Sequence, residues 1–438
     1  MDIIGILVMA GQLILALSIL VALHELGHLL TAKWFKMRVD QYSIGFPPKI
    51  WGFKKGETEY MIGAIPLGGY VKIAGMVDES LDTARLNEPP KPWEFRSKPA
   101  WQRLIVMLGG IFVNVLTGIT IFILLTYIYG KIIEPASKID GIVAHKYAED
   151  IGLKTGDRLI KINGKEINNF NEEIKDALLG SNSVFTIERD GKQQNINIPN
   201  NLIEKLSDKK SAGQFIEPFY VFSVGEIEAG SPAEKAGLKE KDKIIQVDET
   251  PIKYFHQMTQ ALALRKGKET KITVIREGQQ KILDAKVDTA GHLGFHAFLE
   301  NKEHVTYSFG ESVKIGTVDA FKIVFDQIKG FGKMFKGEIN PLKSLSGPIG
   351  IAKMFGGVWD WVRFWQLTGF LSMVLAFMNL LPIPALDGGH VIFLVYEIVS
   401  GRKPSDKFLE IAQKVGMIFL LALMVFVIFS DIIKSFIK

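Results

Sequence analysis

The sequence predicts a multi-pass α-helical membrane protein: four transmembrane helices, a small membrane-associated β-sheet and two tandem α+β domains. Three observations predict it. Four stretches carry no formal charge, namely Ile3 to Leu23, Leu104 to Gly130, Phe364 to Leu386 and Val415 to Ser430. A helix rises about 1.5 Å per residue and needs roughly 20 apolar residues to cross the hydrocarbon layer. Outside these stretches the chain reads as ordinary soluble protein, so its 438 residues combine 47% hydrophobic with 23% charged side chains, at a mean hydropathy of +0.18. Finally, two windows of the region between the second and third stretches align without a gap.

The composition also excludes. With no cysteine, disulfide scaffolds, thiol nucleophiles and Cys-type zinc sites are ruled out. A net charge of +5 over this length gives no reason to invoke nucleic acid.

Residues 1–35 hold the first span. Only Asp2 precedes the apolar run, which lacks the basic flank of a cleaved signal peptide and is too long for its core. Residues 36–100 follow. There Tyr42 to Phe46, Lys49 to Phe53 and Glu59 to Gly75 are strand-like runs broken by Gly and Pro, hence a small sheet near the membrane. Residues 101–130 form the second span.

The repeated windows set Ala148 to Ile167 on Ala233 to Ile252. Ala148/Ala233, Glu149/Glu234, Gly152/Gly237, Leu153/Leu238, Lys154/Lys239, Asp157/Asp242, Ile160/Ile245 and Ile167/Ile252 coincide. Each window reads as a short helix ending at Gly-Leu, a turn to Asp, an alternating strand and a tight turn. Further helical segments are expected at Asn171 to Leu179 and His256 to Leu264, and strands at Val184 to Arg189 and Thr270 to Arg276. The two domains occupy residues 131–205 and 215–292.

Residues 308–340 alternate Val313, Ile315, Val318, Phe321, Val324, Phe325, Ile328, Phe331 and Phe335 with Lys314, Lys322, Lys329 and Lys333. This pattern is that of an amphipathic helix lying on the outer membrane surface. The third span covers residues 363–387, a cytoplasmic loop 388–412, and the fourth span 413–436, short enough that Lys414 and Lys434 must snorkel outward.

Basic residues in short loops set orientation. Lys33, Lys36, Arg38, Arg96, Lys98 and Arg103 flank the first connection, and Arg402, Lys403, Lys407 and Lys414 the last. Both connections are therefore expected in the cytoplasm, with both termini and the repeated domains outside; Lys434 and Lys438 weigh the other way.

At the inner end of the first span stands His24-Glu25-Leu26-Gly27-His28. On a helix, positions i and i+4 differ by about 40° and 6 Å, so both imidazoles reach one metal ion. Glu25 lies about 100° from His24, beside the metal and available as general base. Ionisable groups at membrane depth are costly and usually face a cavity or a partner. A catalytic zinc needs a third protein ligand and an open position. The third span ends Asn379-Leu-Leu-Pro382-Ile-Pro384-Ala-Leu-Asp387-Gly388-Gly389-His390. Its prolines break the helix, and topology brings Asp387 to the depth of His24 and His28; His390, beyond the glycines, is the rival ligand.

These motifs together resemble the site-2 protease family of intramembrane zinc metalloproteases, nearly along the whole chain. Gly110 to Asn114 matches that family's Gly-x-x-x-Asn element, and Ser346-Gly347-Pro348-Ile349 another. The repeats resemble PDZ domains of the bacterial protease type, carried by Gly230-Ser-Pro-Ala-Glu-Lys-Ala-Gly-Leu238, with Lys241 standing where Gly is usual. Gly45-Phe46-Pro47-Pro48 departs from the family's Gly-Phe-Gly-Pro.

The resemblance implies one zinc ion held by His24, His28 and Asp387, with Glu25 as catalytic acid/base. It implies substrate-positioning roles for Asn379 and Asn114, whose alternative role is helix packing in lipid. It also implies a membrane-reentrant sheet whose edge pairs with unwound substrate. The expected substrates are single-span membrane proteins, such as an anti-sigma factor already trimmed outside during an envelope-stress response, or remnant signal peptides. The PDZ pair would exclude bulky substrates or bind new peptide ends, and the bacterial inner membrane would be the location. Two other readings stand beside it: a non-enzymatic scaffold presenting PDZ modules, and a metal transporter using His24, His28 and Asp387 in transit.

Overall fold

The computed structural model describes residues 3–76, 89–206, 215–341 and 346–436. They fall into two compact units, residues 1–130 with 306–331 and 345–438, and residues 131–305 with 332–344.

The first unit begins with α1 (Ile3–Trp34), whose buried face runs through Gly5, Met9, Gln12, Ala16 and Leu20 to Gly27 and His28. That spacing of three and four is one stripe of an α-helix. Strands β1 (Val39–Lys55) and β2 (Thr58–Ile73) form an antiparallel hairpin, closed at Gly56 (φ +63°). Val39, Val71 and Ile73 pack the hairpin on Leu29 and Ala32 of α1 and on Val106 and Met107 of α2 (Ala100–Tyr129). The stretch of β1 that leads into the Gly56 turn, with Trp51 opposite Ile62 and Phe53 opposite Tyr60, exposes Ile50, Trp51 and Phe53. Helices α1 and α2 approach backbone to backbone, since a Cβ on Gly27 would stand 2.3 Å from the Gly109 carbonyl oxygen. Small residues permit such packing in lipid, where there is no hydrophobic drive between helices.

In the second unit, β3 (Lys131–Ile133) leads into two copies of one arrangement. The first contains β4 (Ile142–Ala144), α3 (Lys146–Glu149), β5 (Arg158–Ile162), β6 (Lys165–Glu166), α4 (Phe170–Leu179), β7 (Val184–Arg189) and β8 (Lys192–Asn197). After α5 (Leu202–Leu206) and β9 (Ile216–Pro218), the second contains β10 (Phe222–Ile227), α6 (Pro232–Lys235), β11 (Lys243–Val247), β12 (Thr250–Pro251), α7 (Phe255–Ala263), β13 (Glu269–Arg276) and β14 (Gln279–Lys286). Strands β15 (Phe295–Leu299) and β16 (Glu303–Val305) end this segment of the unit. The four-stranded sheets have the same order, β6-β5-β7-β8 and β12-β11-β13-β14; β4 pairs with β9 as β10 pairs with β15. Each copy has its own core, centred on Phe170, Phe185 and Ile187 in one and on Val247, Ile272 and Val274 in the other.

The repeated aspartate has a specific task. Asp157 and Asp242 are buried, and each accepts a backbone N–H three residues upstream, from Lys154 at 2.8 Å and Lys239 at 2.9 Å. Each also takes a forked pair of bonds from an arginine on the third strand, Arg189 at 2.6 and 2.7 Å and Arg276 at 2.7 and 2.6 Å. The same arginines donate to the Gly152 and Gly237 carbonyls at 2.8 Å. Burial alone would raise the Asp242 pKa, but the Arg276 bonds outweigh it and hold the carboxyl below its usual range.

The chain then returns to the first unit through α8 (Phe309–Phe335), begun by Ser308 and Glu311, which bond reciprocally. It exposes Val313, Val318, Phe321, Phe325 and Ile328. Helix α9 (Pro348–Phe355) is held at its start by Asp431, which accepts the Gly347 and Gly350 N–H groups at 3.0 and 2.8 Å. After α10 (Trp361–Leu380) comes an irregular turn, then α11 (Asp387–Ser400) and α12 (Asp406–Phe436). The segment expected as the loop 388–412 is thus mostly helix. Val391 and Leu394 pack on the α1–α2 core, and Arg103 of α2 donates to Glu397 at 2.5 Å. Among the described residues four helices are long and apolar enough to cross a membrane: α1, α2, α10 and the Lys407–Ile432 part of α12.

Candidate metal centre

Helix α1 places His24 and His28 one turn apart, their rings edge to face with centroids 4.8 Å apart. Asp387 opens α11, directly after the proline-broken turn. That turn folds tightly over the start of α11: a Cβ on Gly388 would lie 2.2 Å from the Leu381 carbonyl oxygen. Glycine is therefore a steric requirement beside Asp387.

Three atoms converge here. His24 Nε2 and His28 Nε2 are 3.2 Å apart, and Asp387 Oδ2 lies 3.2 Å from the first and 3.4 Å from the second. Ligand atoms about 2.0–2.1 Å from a tetrahedral zinc stand about 3.3 Å from one another. The triangle therefore has the size of one face of a zinc tetrahedron. Asp387 Oδ2 is buried and has no hydrogen-bond partner, as suits an oxygen reserved for a cation. Two imidazoles and a carboxylate are a borderline donor set favouring zinc. The residues fit the ion.

Around this triangle the polar groups are ordered. His28 Nδ1 lies 2.8 Å from the Val106 carbonyl oxygen, to which only a protonated nitrogen can bond. Its Nε2 is then the unprotonated atom, as ligation demands. Asn379 Nδ2 stands 3.3 Å from His24 Nε2, on the metal-facing edge of that ring. Asn114 instead meets the opposite nitrogen, His24 Nδ1, at 3.1 Å. Glu25 turns toward the hairpin, where a Cβ on Gly69 of β2 would stand 3.5 Å from its Cγ. Tyr42 of β1 clasps the same turn of α1, donating to the Ala22 carbonyl at 2.7 Å.

The structure thus brings His24, His28 and Asp387 together, with Glu25, Asn379 and Asn114 beside them. His390 is outside the three-residue cluster and instead lines a small cavity with Pro384, Phe393, Leu409 and Gln413. Sequence reasoning did not find Val106, because a backbone carbonyl leaves no mark in residue type. The role of Gly110 was carried only by its motif. A Cβ there would stand 2.4 Å from His28 Nε2 and 2.6 Å from His24 Cε1, so bare α2 backbone backs both rings.

Comparison with known proteins agrees with this geometry. The profile of Peptidase family M50 matches residues 12–423, and the chain belongs to that family, the site-2 proteases. It is therefore a membrane metalloprotease. It is 30% identical to the regulator of sigma E protease of Haemophilus influenzae, over 97% of this chain and 98% of the relative. It is 28% identical to the regulator of sigma-E protease RseP of Escherichia coli, over 96% and 97% respectively. A Fusobacterium nucleatum protein described as a zinc metalloprotease is 28% identical over 97% of this chain and 98% of its own length. These names support zinc as the metal of the centre.

Proposed function

We propose that this chain is an intramembrane zinc endopeptidase that cuts single-span membrane proteins within or near their transmembrane helix. The observation that carries the reading is the zinc-sized triangle of His24, His28 and Asp387 with the Glu25 carboxylate one residue from a ligand. These three residues would hold the ion, which when bound supplies Lewis acidity, polarising a carbonyl and acidifying water.

The protein's own groups divide the remaining work. Glu25 accepts the proton of the attacking water and returns it to the leaving amine nitrogen. Asn379 directs its amide N–H groups at the peptide, where they steady the carbonyl oxygen as charge develops on it. A transmembrane helix hides its amides in internal hydrogen bonds, so cleavage needs an unwound segment. The β1–β2 hairpin, which passes beside Glu25 at Gly69, offers extended backbone for that segment to pair with.

The same reading assigns the duplicated modules as PDZ domains, lying with both termini on the periplasmic side of a bacterial inner membrane. The α8 helix rests on the outer membrane surface. The substrate class is a pre-trimmed anti-sigma factor or a remnant signal peptide. The names of the two sigma-E-protease relatives and the run of basic residues flanking the first connection support these assignments.

The deciding experiment is Glu25→Gln in the full chain, with zinc quantified. We expect stoichiometric zinc and cleavage of a single-span substrate lowered by about 10²–10⁴-fold. Unchanged cleavage would sink the enzyme reading in favour of a scaffold. Dialysis against a zinc chelator should likewise abolish cleavage of the wild-type chain, and added zinc should restore it.

A further inference from the structure

Resting on the metal-centre reading, we infer that Asn114 is a positioning residue for His24: its side-chain oxygen accepts the Nδ1–H of that ring. This fixes the tautomer whose Nε2 lone pair faces the ion. This role differs from the two the sequence offers for Asn114, substrate positioning and helix packing in lipid.

Both Nε2 atoms belong to the triangle, so neither can carry a proton when a metal is held there. Each Nδ1 must then be the protonated nitrogen and needs an acceptor. For His28 the acceptor is the Val106 carbonyl, at 2.8 Å. For His24, Asn114 is the side chain at Nδ1, with Nδ2 at 3.1 Å. In that orientation Nδ2 could donate only to an unprotonated Nδ1, which would put the ring's proton on Nε2, in the metal's place.

A second observation bears on the same amide. Asn114 is 1% exposed, and its Oδ1 is buried with no hydrogen-bond partner. The two ends of a carboxamide have nearly the same shape, and their assignment follows the hydrogen-bond network. Turning the amide by half a revolution brings the orphan oxygen to the imidazole N–H, so one change supplies both missing partners.

The backbone around Asn114 is built for this contact. Gly110, one turn earlier on the same face of α2, lets the helix lie against both rings. Ser372 of α10 donates to the Asn114 carbonyl at 2.7 Å, anchoring that turn from the other side. The Gly-x-x-x-Asn spacing thus reads as one device, in which glycine admits the rings and asparagine orients one of them.

The test measures zinc affinity by chelator competition on the full-length chain in detergent, for wild type, Asn114→Leu and Asn114→Asp. Loss of an outer-shell partner typically weakens metal binding 10–100-fold, which is expected for the leucine variant. Aspartate, a stronger acceptor, should bind zinc severalfold more tightly than wild type. Leucine within twofold of wild type, or aspartate no tighter than wild type, would overturn the assignment. If the leucine variant does not fold, the aspartate comparison decides alone. Wild-type protein that holds no zinc sensitive to His28→Ala would instead overturn the metal centre itself, and this assignment with it.

Discussion

Lys241 occupies a left-handed turn (φ +68°) that the first module gives to Gly156 (φ +98°). A Cβ in that conformation costs roughly 1–2 kcal/mol, partly offset by the entropy a glycine loses on folding. Lys241→Gly should therefore stabilise the second module by about 0.5–1 kcal/mol, read as slower amide exchange on β11 and β13. The neighbouring Asp242 works in the opposite direction. Removing one partner of a buried, forked ion pair costs about 3–5 kcal/mol, so Asp242→Asn should unfold this module well before its twin. Because the folded carboxyl is held below its unfolded value, the pair contributes fully above about pH 4. That contribution is lost as pH falls through the folded value, and exchange in β13 should accelerate on acidification. The repeat made both aspartates visible in the sequence. Their arginines, on strands more than thirty positions away, fall outside the aligned windows and became evident only when β5 and β7, and β11 and β13, were paired.

At the scale of elements, the centre depends on how closely backbone segments approach. A methyl on Gly388 would collide with the Leu381 carbonyl oxygen, and Asp387 would move with the turn. Gly388→Ala should reduce cleavage by about 10²-fold, the cost of roughly 1 Å of misplacement, while Gly401→Ala, which meets no neighbouring atom and strains only the left-handed cap (φ +68°) at the far end of α11, should leave the zinc content unchanged. A cleavage assay with zinc quantification on both variants checks this. Much of this region could be read from residue order: the two histidines share a helical face, and the prolines fix where α10 ends. Helix α11 could not, since its glycine-rich start and the basic Arg402 and Lys403 just beyond it look like a connection. It is held by Arg103 and Glu397 and by apolar contacts of Val391 and Leu394, all of them distant in sequence.

At the scale of the whole molecule, the long segment of the second unit, residues 131–305, begins and ends on two paired strands. β3 pairs antiparallel with β16, setting Lys131 opposite Val305 and Ile133 opposite Glu303. Residues 131–305 can therefore be replaced by a short Gly/Ser connection with a small loop-closure cost. The shortened chain should keep stoichiometric zinc. If the modules act as a size filter, it should also cut substrates that retain bulky outer domains; if they act as an obligatory receptor, it should cut none.

The β3–β16 pairing bears as well on how such a chain could have arisen. An insert whose ends are hydrogen-bonded neighbours can be gained, doubled or exchanged as a cassette, because its host sees only two adjacent attachment points. The duplicated modules and the metal centre can then diverge at separate rates within one gene.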